Sequence, residues 1–445
     1  MKIIYCLILV LITTGMVSAQ FTKFKPTLSL NEKSQTSGST SDTATKFGDY
    51  TPGIGFNLAK TKMGDLNFKL FSYVRYLNQK ASDDQYINAF NDTTTLKLRQ
   101  DWQFAKVNIQ FHGWLFDPNF RYLAYVWSNN NAQGQTASVV VAGNLSYIFN
   151  KHFTIGAGIG ALPGVRSTEG TFPYWLTNDN RLIADDYFRP SYTTGIWFKG
   201  KIADDLNYNL MVGNNLSQLG VDASQLSSSI ATVSGALTWY PSTGEFGPGN
   251  GYGDFTYHEK AATRLGGHFT YSKEDRLGQP TSDAFENVQL RVSDGSVIFK
   301  ANLFGNGIRI DTAAYRMASF DFGVKYKGLS LEGEYYFRWL NNFSGSGVDD
   351  LGFNILEDNG FQLLASGMLI KQVLQLYASY SKVFGQYGDP YGIRTGLNIF
   401  PWKNQYARCN IEYIYAYKSP VGGSSVPIQV GSTGSIFHVD FVLSM

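Results

Sequence analysis

The sequence predicts an all-β protein, a transmembrane antiparallel β-barrel of about sixteen strands. Alternating apolar and polar residues recur along the chain, in segments of up to a dozen residues. The 445 residues include 28 Tyr, 32 Phe and 46 Gly but only 13 Pro. No stretch approaches the roughly 18 consecutive apolar residues of a transmembrane helix. Together these observations favour membrane-spanning strands over membrane-spanning helices.

The N-terminus predicts export. Lys2 is followed by an apolar run from Ile3 to Ile12 and then by the small residues Val17-Ser18-Ala19. This order is typical of a secretory signal peptide. The alternative interpretation is a short buried helix that stays in the fold. We therefore predict a signal peptide at residues 1–19, a periplasmic leader with a short strand at 20–63 and the barrel at 64–445.

The segment from Ala105 to Phe116 shows the alternation clearly. A strand that crosses a bilayer needs about 9–11 residues, whereas strands of soluble folds have about 5–6. An apolar face opposite a polar face over such a length is typical of a strand with lipid outside and water inside. One face carries Val107, Ile109, Phe111, Gly113 and Leu115, and the other Lys106, Asn108, Gln110, His112 and Trp114.

The connections between predicted strands alternate in length, which orients the barrel. Outer-membrane barrels have short periplasmic turns and long extracellular loops. The connection Pro241–Ala261 departs from this rule, because it is long and yet falls on the periplasmic side. Short turns such as Asn150-Lys151-His152 alternate with long loops at Gln79–Phe104, Pro163–Pro190, Asn214–Ser228, Leu340–Gly360 and Ser419–Gly434.

Sixteen strands satisfy the even number that an antiparallel bacterial barrel requires. The segment Gly53–Ala59 also resembles a strand, and we place it before the barrel as a periplasmic or plugging piece. The segment Val292–Phe304 is either loop structure or a further hairpin that would give eighteen strands. The sixteen begin near Asp65, Ala105, Phe120, Ala137, Phe153, Ser191, Leu206, Ser229, Ala262, Ser319, Leu329, Phe361, Val373, Tyr391, Tyr406 and Ser435.

The last nine residues, FHVDFVLSM, alternate up to the final residue. We predict that they form the closing strand of the barrel, with His438 and Asp440 facing the lumen. Outer-membrane proteins of this kind commonly end in an aromatic residue that the barrel assembly machinery reads, and here Met445 stands in that place. The residues predicted to face lipid are Phe437, Val439, Phe441 and Leu443.

No motif in the sequence predicts an enzyme, a cofactor or a metal site. The glycine-rich segment GAGIGALPG, from Gly156, resembles a dinucleotide-binding loop, but it lies inside an alternating strand, where glycine marks crowding or a bend. No Gly-x-Ser-x-Gly motif is present, and the five histidines have no ligand-like spacing. The formal net charge of +2 argues against a nucleic-acid partner.

The predicted lumen face carries more cations than anions. A positive wall lowers the entry barrier for anions, because a low-dielectric barrel focuses the field. The alternative for each residue is a solvated wall position with a partner on a neighbouring strand. The candidate pore residues on strands are Lys69, Arg75, Lys106, Arg121, Lys199, Lys201, Lys325 and Arg338, and the predicted lumen anions are Asp321, Glu332, Glu334, Glu412 and Asp440.

The loop from Pro163 to Pro190 is the candidate constriction. It is too aromatic to remain in water, so we expect it to fold onto or into the barrel. Arg166, Arg181 and Arg189 would then bind phosphate or carboxylate bidentately in a narrow passage. An external lid over the pore is the alternative.

Four segments resemble the phosphate-selective porin O/P-like family, in the branch found in Bacteroidetes. They are GDLNFKLFSYVRYLNQ from Gly64, KVNIQFHGWLFDPNFRYLAYVW from Lys106, LPGVRSTEG from Leu162 and RLIADDYFRPSYTTGIW from Arg181. The resemblance implies a sixteen-stranded homotrimeric porin of the Gram-negative outer membrane. It also implies a phosphate path made of an arginine ladder and lysines, although this sequence shows no regular arginine ladder.

The sequence therefore predicts a porin that passes small hydrophilic solutes by diffusion, with a preference for phosphate-like anions. Its predicted partners are outer-membrane lipid, small anionic or polar solutes, two further copies of the chain and the barrel assembly machinery. An adhesin or receptor barrel with a plugged lumen is the main alternative. A barrel enzyme would need a Ser/His/Asp cluster at the rim, which the sequence does not show.

Overall fold

The computed structural model describes residues 48–96, 98–129, 138–178, 181–217, 230–277, 290–423 and 426–445. The predicted signal peptide and most of the predicted leader lie outside these residues. The strands are β1 (Tyr50–Thr51), β2 (Gly55–Thr61), β3 (Gly64–Ala81), β4 (Gln85–Ile87), β5 (Thr93–Thr95), β6 (Arg99–Leu115), β7 (Asp117–Asn129), β8 (Ser138–Asn150), β9 (Phe153–Ala161), β10 (Tyr192–Ala203), β11 (Leu206–Gly213), β12 (Thr232–Trp239), β13 (Ala262–Asp275), β14 (Arg309–Tyr326), β15 (Leu329–Ser346), β16 (Ile355–Ile370), β17 (Leu374–Phe384), β18 (Tyr391–Ile399), β19 (Ala407–Tyr417) and β20 (Gly434–Ser444). Two short helices, α1 (Arg166–Glu169) and α2 (Ile183–Phe188), and 3₁₀ turns at Pro248–Asn250 and Val348–Asp350 lie in the connections.

Strand β3 and the strands from β6 to β20 form a closed antiparallel ring. Each strand pairs with its neighbour in the chain, and β20 pairs with β3. The ring has sixteen strands within the described residues, and each corresponds to one predicted strand. The predicted fold class is therefore confirmed. Strands β4 and β5 form a separate hairpin in the first long loop.

The two faces of the ring have opposite polarity. Outward apolar side chains are open to the surroundings, with exposed fractions of 74% for Val141 and 61% for Phe320. Inward charged side chains are enclosed, with exposed fractions of 2% for Lys106 and 3% for Asp321. An apolar exterior around a polar interior is the arrangement of a barrel in lipid. Within the described residues, no helix is long and apolar enough to cross a membrane.

Two strands share one edge of β3. Strand β20 pairs with the C-terminal part of β3, from Ser444↔Phe71 to Gly434↔Ala81. Strand β2 pairs with the N-terminal part of β3, from Thr61↔Gly64 to Phe56↔Phe68. Between them, the backbone of Met445 exchanges two hydrogen bonds with Leu70, at N···O distances of 2.7 and 3.0 Å. The strand-like segment before the barrel therefore forms β2, which lies end to end with β20 along the same edge of β3.

The segment from Val292 to Phe304 does not add a hairpin to the ring. It forms turns, with one isolated bridge between Arg291 and Val297. Its apolar side chains, among them Ile298, pack into a buried cluster with α2 and with the last long loop, near Ile428. The alternation of this segment reflects burial against other loops rather than a bilayer face.

The connection between β15 and β16 is shorter than the predicted loop Leu340–Gly360. Strand β15 continues to Ser346 and β16 begins at Ile355, so the connection comprises only residues 347–354. The pairing with β14 also continues, up to Arg309↔Ser346. The polar residues here read as a loop in the sequence, but strand pairing extends beyond the apolar belt because it depends on backbone hydrogen bonds.

The position of Met445 generates a prediction about assembly. We expect Met445→Phe to preserve or improve barrel insertion and Met445→Asp to reduce it, because a carboxylate there would face the edge of the apolar belt at the seam. The inserted fraction is measured from the heat-dependent shift of folded barrel on a gel. The exposed turn residue Lys403 provides the control, as Lys403→Asp, and equal insertion of both Asp variants would contradict the prediction.

Candidate functional site: a lysine-lined cavity in the lumen

The connection between β9 and β10, residues 162–191, lies inside the barrel, and we call it loop L3. Arg408, on β19, donates hydrogen bonds from its guanidinium to the carbonyl oxygens of Trp175 (2.7 Å) and Thr177 (2.8 Å). Asn398, on β18, donates to the carbonyl oxygen of Leu176 at 2.9 Å. Inward polar side chains of the wall therefore satisfy the backbone of a loop that has no sheet partner of its own.

Helix α2 fixes the second half of L3 to the wall. Asp185 and Asp186 lie in its first turn, where carboxylates favour the positive end of the helix, and Pro190 follows its last residues. Phe188 stacks on Tyr336 with ring centroids 5.2 Å apart. The hydroxyl of Tyr315 donates to the carbonyl oxygen of Phe188 at 2.5 Å. The helix thus packs against β15, β16, β17 and β18, and Tyr315 of β14 binds its last residue.

A chain of buried charges crosses the seam of the barrel. Arg75, on β3, binds both carboxylate oxygens of Asp440, on β20, at 2.7 and 2.8 Å. His438 lies 3.4 Å from Asp440 and 2.6 Å from Glu412, which pairs with Arg394 at 3.1 Å. All five side chains are buried. The chain links four consecutive strands across the place where the ring closes.

Loop L3 completes this charge chain. The side-chain amide of Asn178 donates to Asp440 at 3.0 Å, and Arg75 donates to the carbonyl oxygen of Asn178 at 3.1 Å. The loop and the seam therefore share their hydrogen-bond partners. Disturbing either of them leaves buried polar groups of the other without a partner.

The three arginines of L3 are buried in contacts with carboxylates. Arg166 pairs with Glu332 on β15, Arg189 pairs with Asp186 at 2.8 Å, and Arg181 lies 3.7 Å from Asp185. Arg181 also stacks on the ring of Trp175, at 4.4 Å from its centroid. These contacts compensate the guanidinium charges and orient the loop. Of the three, Arg181 lines the open cavity described below.

Two predicted pore residues on strands also hold loops against the wall. Lys325 donates to the carbonyl oxygens of Phe246 (2.9 Å) and Gly251 (2.8 Å), in the connection between β12 and β13. Arg338 pairs with Asp358 and contacts Tyr187 of α2. We call residues 240–261 the periplasmic connection, and this long connection folds into the lumen towards L3.

An open cavity of about 810 Å³ remains beside L3. Its wall is formed by β3 and by strands β6 to β12, whereas most contacts that hold L3 come from strands β14 to β20. Four lysines and Arg181 line the cavity, and Glu169 is the one carboxylate among the described residues that line it. Arg121 lies outside this set, on the inward face of β7 near its periplasmic end. The lysines are Lys69, Lys106, Lys199 and Lys201.

Aromatic rings accompany these lysines. The ammonium of Lys106 lies 4.6 Å from the ring centroid of Trp127 and 5.1 Å from that of Phe172. Phe172, of L3, stacks on Phe71 of β3 at 4.3 Å. The quadrupole of an aromatic ring attracts a cation that lies over its face. Sequence patterns place these rings on inward faces but give no sign that L3 brings Phe172 to Lys106.

The glycine-rich segment of β9 has a structural explanation in this cavity. Trp197, on β10, lies opposite Gly156, and its indole covers both Gly156 and Gly160. A Cβ atom at Gly156 would lie 2.3 Å from Cε2 of Trp197, and one at Gly160 would lie 3.3 Å from Cε3. The two glycines therefore allow the indole to lie flat against the wall.

His258 is the centre of an ionic cluster in the periplasmic connection. Its imidazole lies 2.5 Å from Asp254 and 3.1 Å from Glu245. Burial lowers its pKa, but the hydrogen bonds with these carboxylates raise it more, so the pKa of His258 rises to about 9. Asp254 also accepts a hydrogen bond from the backbone of Gly328 at 2.8 Å, which ties the connection to the turn after β14.

Comparison with known proteins shows the fold. Neither a protein-family model nor a curated protein matches the chain. An anion-selective porin from Comamonas acidovorans has a TM-score of 0.51 and 10% identity, over 85% of this chain and 99% of its own. OmpT of Vibrio cholerae, expressed in the outer membrane, has a TM-score of 0.51 and 10% identity, over 86% and 99%. The closed barrel and its apolar exterior are those of a Gram-negative outer-membrane protein, as predicted.

Breaking the seam pair should destabilise the whole barrel. Asp440→Asn leaves the charge of Arg75 buried without its carboxylate, which costs about 3–5 kcal/mol. The free energy of unfolding is measured by denaturant titration in detergent, followed by tryptophan fluorescence. Asp204→Asn is the control, because the pair of Asp204 with Lys151 is exposed and its loss should have no measurable effect. Similar stabilities of the two variants would contradict the prediction.

The raised pKa of His258 predicts a pH dependence. A histidine whose folded pKa exceeds its unfolded value of about 6.5 stabilises the fold fully below pH 6.5, and this contribution is lost as the pH rises through about 9. Wild type should therefore lose stability between these pH values relative to His258→Gln. Thermal unfolding in detergent at a series of pH values measures the difference, and parallel curves for the two proteins would refute the assignment.

Proposed function

We propose that this barrel is a porin that passes small hydrophilic solutes by diffusion and prefers anions. The observation that carries the proposal is the lining of the cavity, where four lysines face a single described carboxylate, Glu169, while Arg181 is compensated by Asp185. Lys69 and Lys199 make no hydrogen bond or ion pair within the described residues, so their charges remain available to a solute. The barrel is of a size that leaves an aqueous channel.

The arginines explain why this positive charge is confined to one side of the lumen. On the side that holds L3, arginines and carboxylates alternate in buried pairs and their charges compensate each other. On the cavity side, lysines prevail. A local excess of one sign inside low-dielectric walls raises the concentration of counter-ions there. The path of an anion would therefore follow strands β3 to β11 rather than the centre of the barrel.

The strand cations that line the cavity are lysines rather than arginines, and this affects which anions the channel prefers. A guanidinium offers a planar fork that fits phosphate, whereas an ammonium acts as a point charge with freely rotating donors. Lys69, Lys106, Lys199 and Lys201 would therefore attract phosphate and carboxylate alike. We propose that phosphate is among the anions that pass, without a site that excludes the others.

The assembly of the porin is part of the proposal. Strands β11 and β12 have 8 residues each and β9 has 9, at or below the roughly 9–11 residues that cross a bilayer. A wall of short strands is shielded from lipid when a second barrel packs against it. This supports the proposed homotrimer, with β9, β11 and β12 at the contact between subunits. Residues 1–19 would be cleaved after export, and the assembly machinery would recognise β20.

A receptor barrel with a plugged lumen is the second candidate. The observation in its favour is the buried apolar cluster that α2 forms with residues of two extracellular loops, such as Leu290 and Val426. A receptor of this kind would give no open channels in a planar bilayer. The same measurement therefore separates the two functions.

Charge removal tests the anion preference. We expect purified protein in a planar bilayer to show a reversal potential of the anion-selective sign in a KCl gradient. Replacing Lys69, Lys106 and Lys199 together by Gln should lower the ratio of chloride to potassium permeability about fivefold or more, since one charge at 4 Å is worth about 1 kcal/mol even in water.

A matched variant controls for the change in total charge. Replacing three exposed turn lysines, Lys62, Lys151 and Lys403, together by Gln removes the same charge and should leave the permeability ratio unchanged. Cation selectivity of the wild type would overturn the anion preference. A triple variant with the permeability ratio of wild type would show that these lysines do not set it.

A further inference from the structure

We infer that the cavity contains a binding site for sugar acids, which are sugars whose ring carries a carboxylate. The site lies on strands β9 to β11 and is formed by Trp197, Lys199, Asn209 and Asn207. This inference rests on the proposed function, because it names a solute class for the same cavity. It adds a ring-binding surface to the charge preference.

Trp197 supplies the flat apolar surface. Its indole lies along β9 over Gly156 and Gly160, so one ring face is held against the wall. The residue also lines the cavity, which leaves the opposite face towards the solute. The C–H face of a pyranose ring is apolar and flat enough to pack on an indole, as aromatic faces are well suited to such contacts. Because Gly156 and Gly160 have no side chains, the strand itself sets the orientation of the indole ring.

Lys199 supplies the charge at a suitable distance. It is the next inward residue after Trp197 on β10, and successive same-face positions are about 7 Å apart along a strand. Lys199 is exposed within the cavity and makes no hydrogen bond or ion pair within the described residues. A ring centred on the indole would therefore extend its carboxylate to the ammonium group.

Asn209 and Asn207 supply partners for hydroxyl groups. Register places Asn209 opposite Lys199, and Asn207 opposite Lys201, across the β10–β11 pair. Both side chains line the cavity. A carboxamide both donates and accepts hydrogen bonds, so each of the two can bind a hydroxyl group.

The combination of groups distinguishes sugar acids from simpler solutes. Inorganic anions would use the lysines but leave the indole face without a contact. Aromatic carboxylates would use the indole and a lysine but would remove water from the amides without replacing its hydrogen bonds. A sugar acid uses all three kinds of group, because its ring has an apolar face, hydroxyl groups and a carboxylate.

The test compares three probes on the wild-type porin in a planar bilayer. Glucuronate has the ring, the hydroxyls and the carboxylate. Gluconate keeps the carboxylate and the hydroxyls but has no ring, and glucose keeps the ring but has no charge. We expect glucuronate to block half of the KCl current at a concentration about fivefold lower than gluconate or glucose. Each of these two probes lacks one contact, with the indole or with the ammonium group, and one contact is worth about this factor. Equal half-blocking concentrations for glucuronate and gluconate would overturn the inference.

Variants locate the site. Trp197→Ala should remove the preference for glucuronate over gluconate, and Gly156→Ala should weaken it by pushing the indole off the wall. Lys199→Gln should weaken both acids but not glucose. Trp402→Ala, at an exposed periplasmic turn, is the control and should change nothing. A glucuronate preference that survives Trp197→Ala would also overturn the inference.

The outcomes distinguish this inference from the proposed function. An anion-selective reversal potential without a glucuronate preference would leave the porin function standing and remove the sugar-acid site. A cation-selective reversal potential or the absence of open channels would remove the proposed function, and the inference with it. The wild-type comparison needs no variant, so a variant that fails to fold does not block the test.

Discussion

The ion pair between Arg75 and Asp440 is the contact on which the closed, filled lumen depends. It joins the first and last strands of the ring, and it is fully buried because Asn178 of L3 covers it. Buried charges are costly unless they are paired and hydrogen-bonded. Strand closure supplies the pairing, and the inserted loop supplies the remaining hydrogen bonds. Closure of the barrel and placement of the loop therefore stabilise each other.

This constraint divides the lumen into two unlike halves. Where L3 lies against the wall, arginines such as Arg166 and Arg338 use their planar donors to hold carboxylates and loop carbonyls. On the other side the wall borders the open cavity, and the strand cations that line this cavity are lysines with aromatic or open surroundings. The same excess of inward cations thus has a structural role in one half and a candidate transport role in the other.

The fold was predictable because lipid imposes a strict rule on every strand. Alternate residues must be apolar, so segments such as Ala105–Phe116 reveal both their structure and their orientation in the sequence. The rule fails where another environment also buries apolar side chains, as at Val292–Phe304. The partners of the arginines were not predictable. Alternation assigns Arg166 and Glu332 to the interior, but their pairing depends on how L3 folds. The glycines under Trp197 were visible in the sequence, because Gly156 and Gly160 lie on an otherwise alternating strand.

The shared edge of β3 also fixes the alignment of the whole ring. Strand β2 occupies the positions from Gly64 to Phe68, and the backbone of Met445 occupies Leu70, so β20 has no free backbone groups to slide onto in that direction. A slip by one residue would turn every side chain of β20 to the opposite face. The segment before the barrel therefore acts as a stop for the last strand, and it helps to fix which residues of β20 pair with β3.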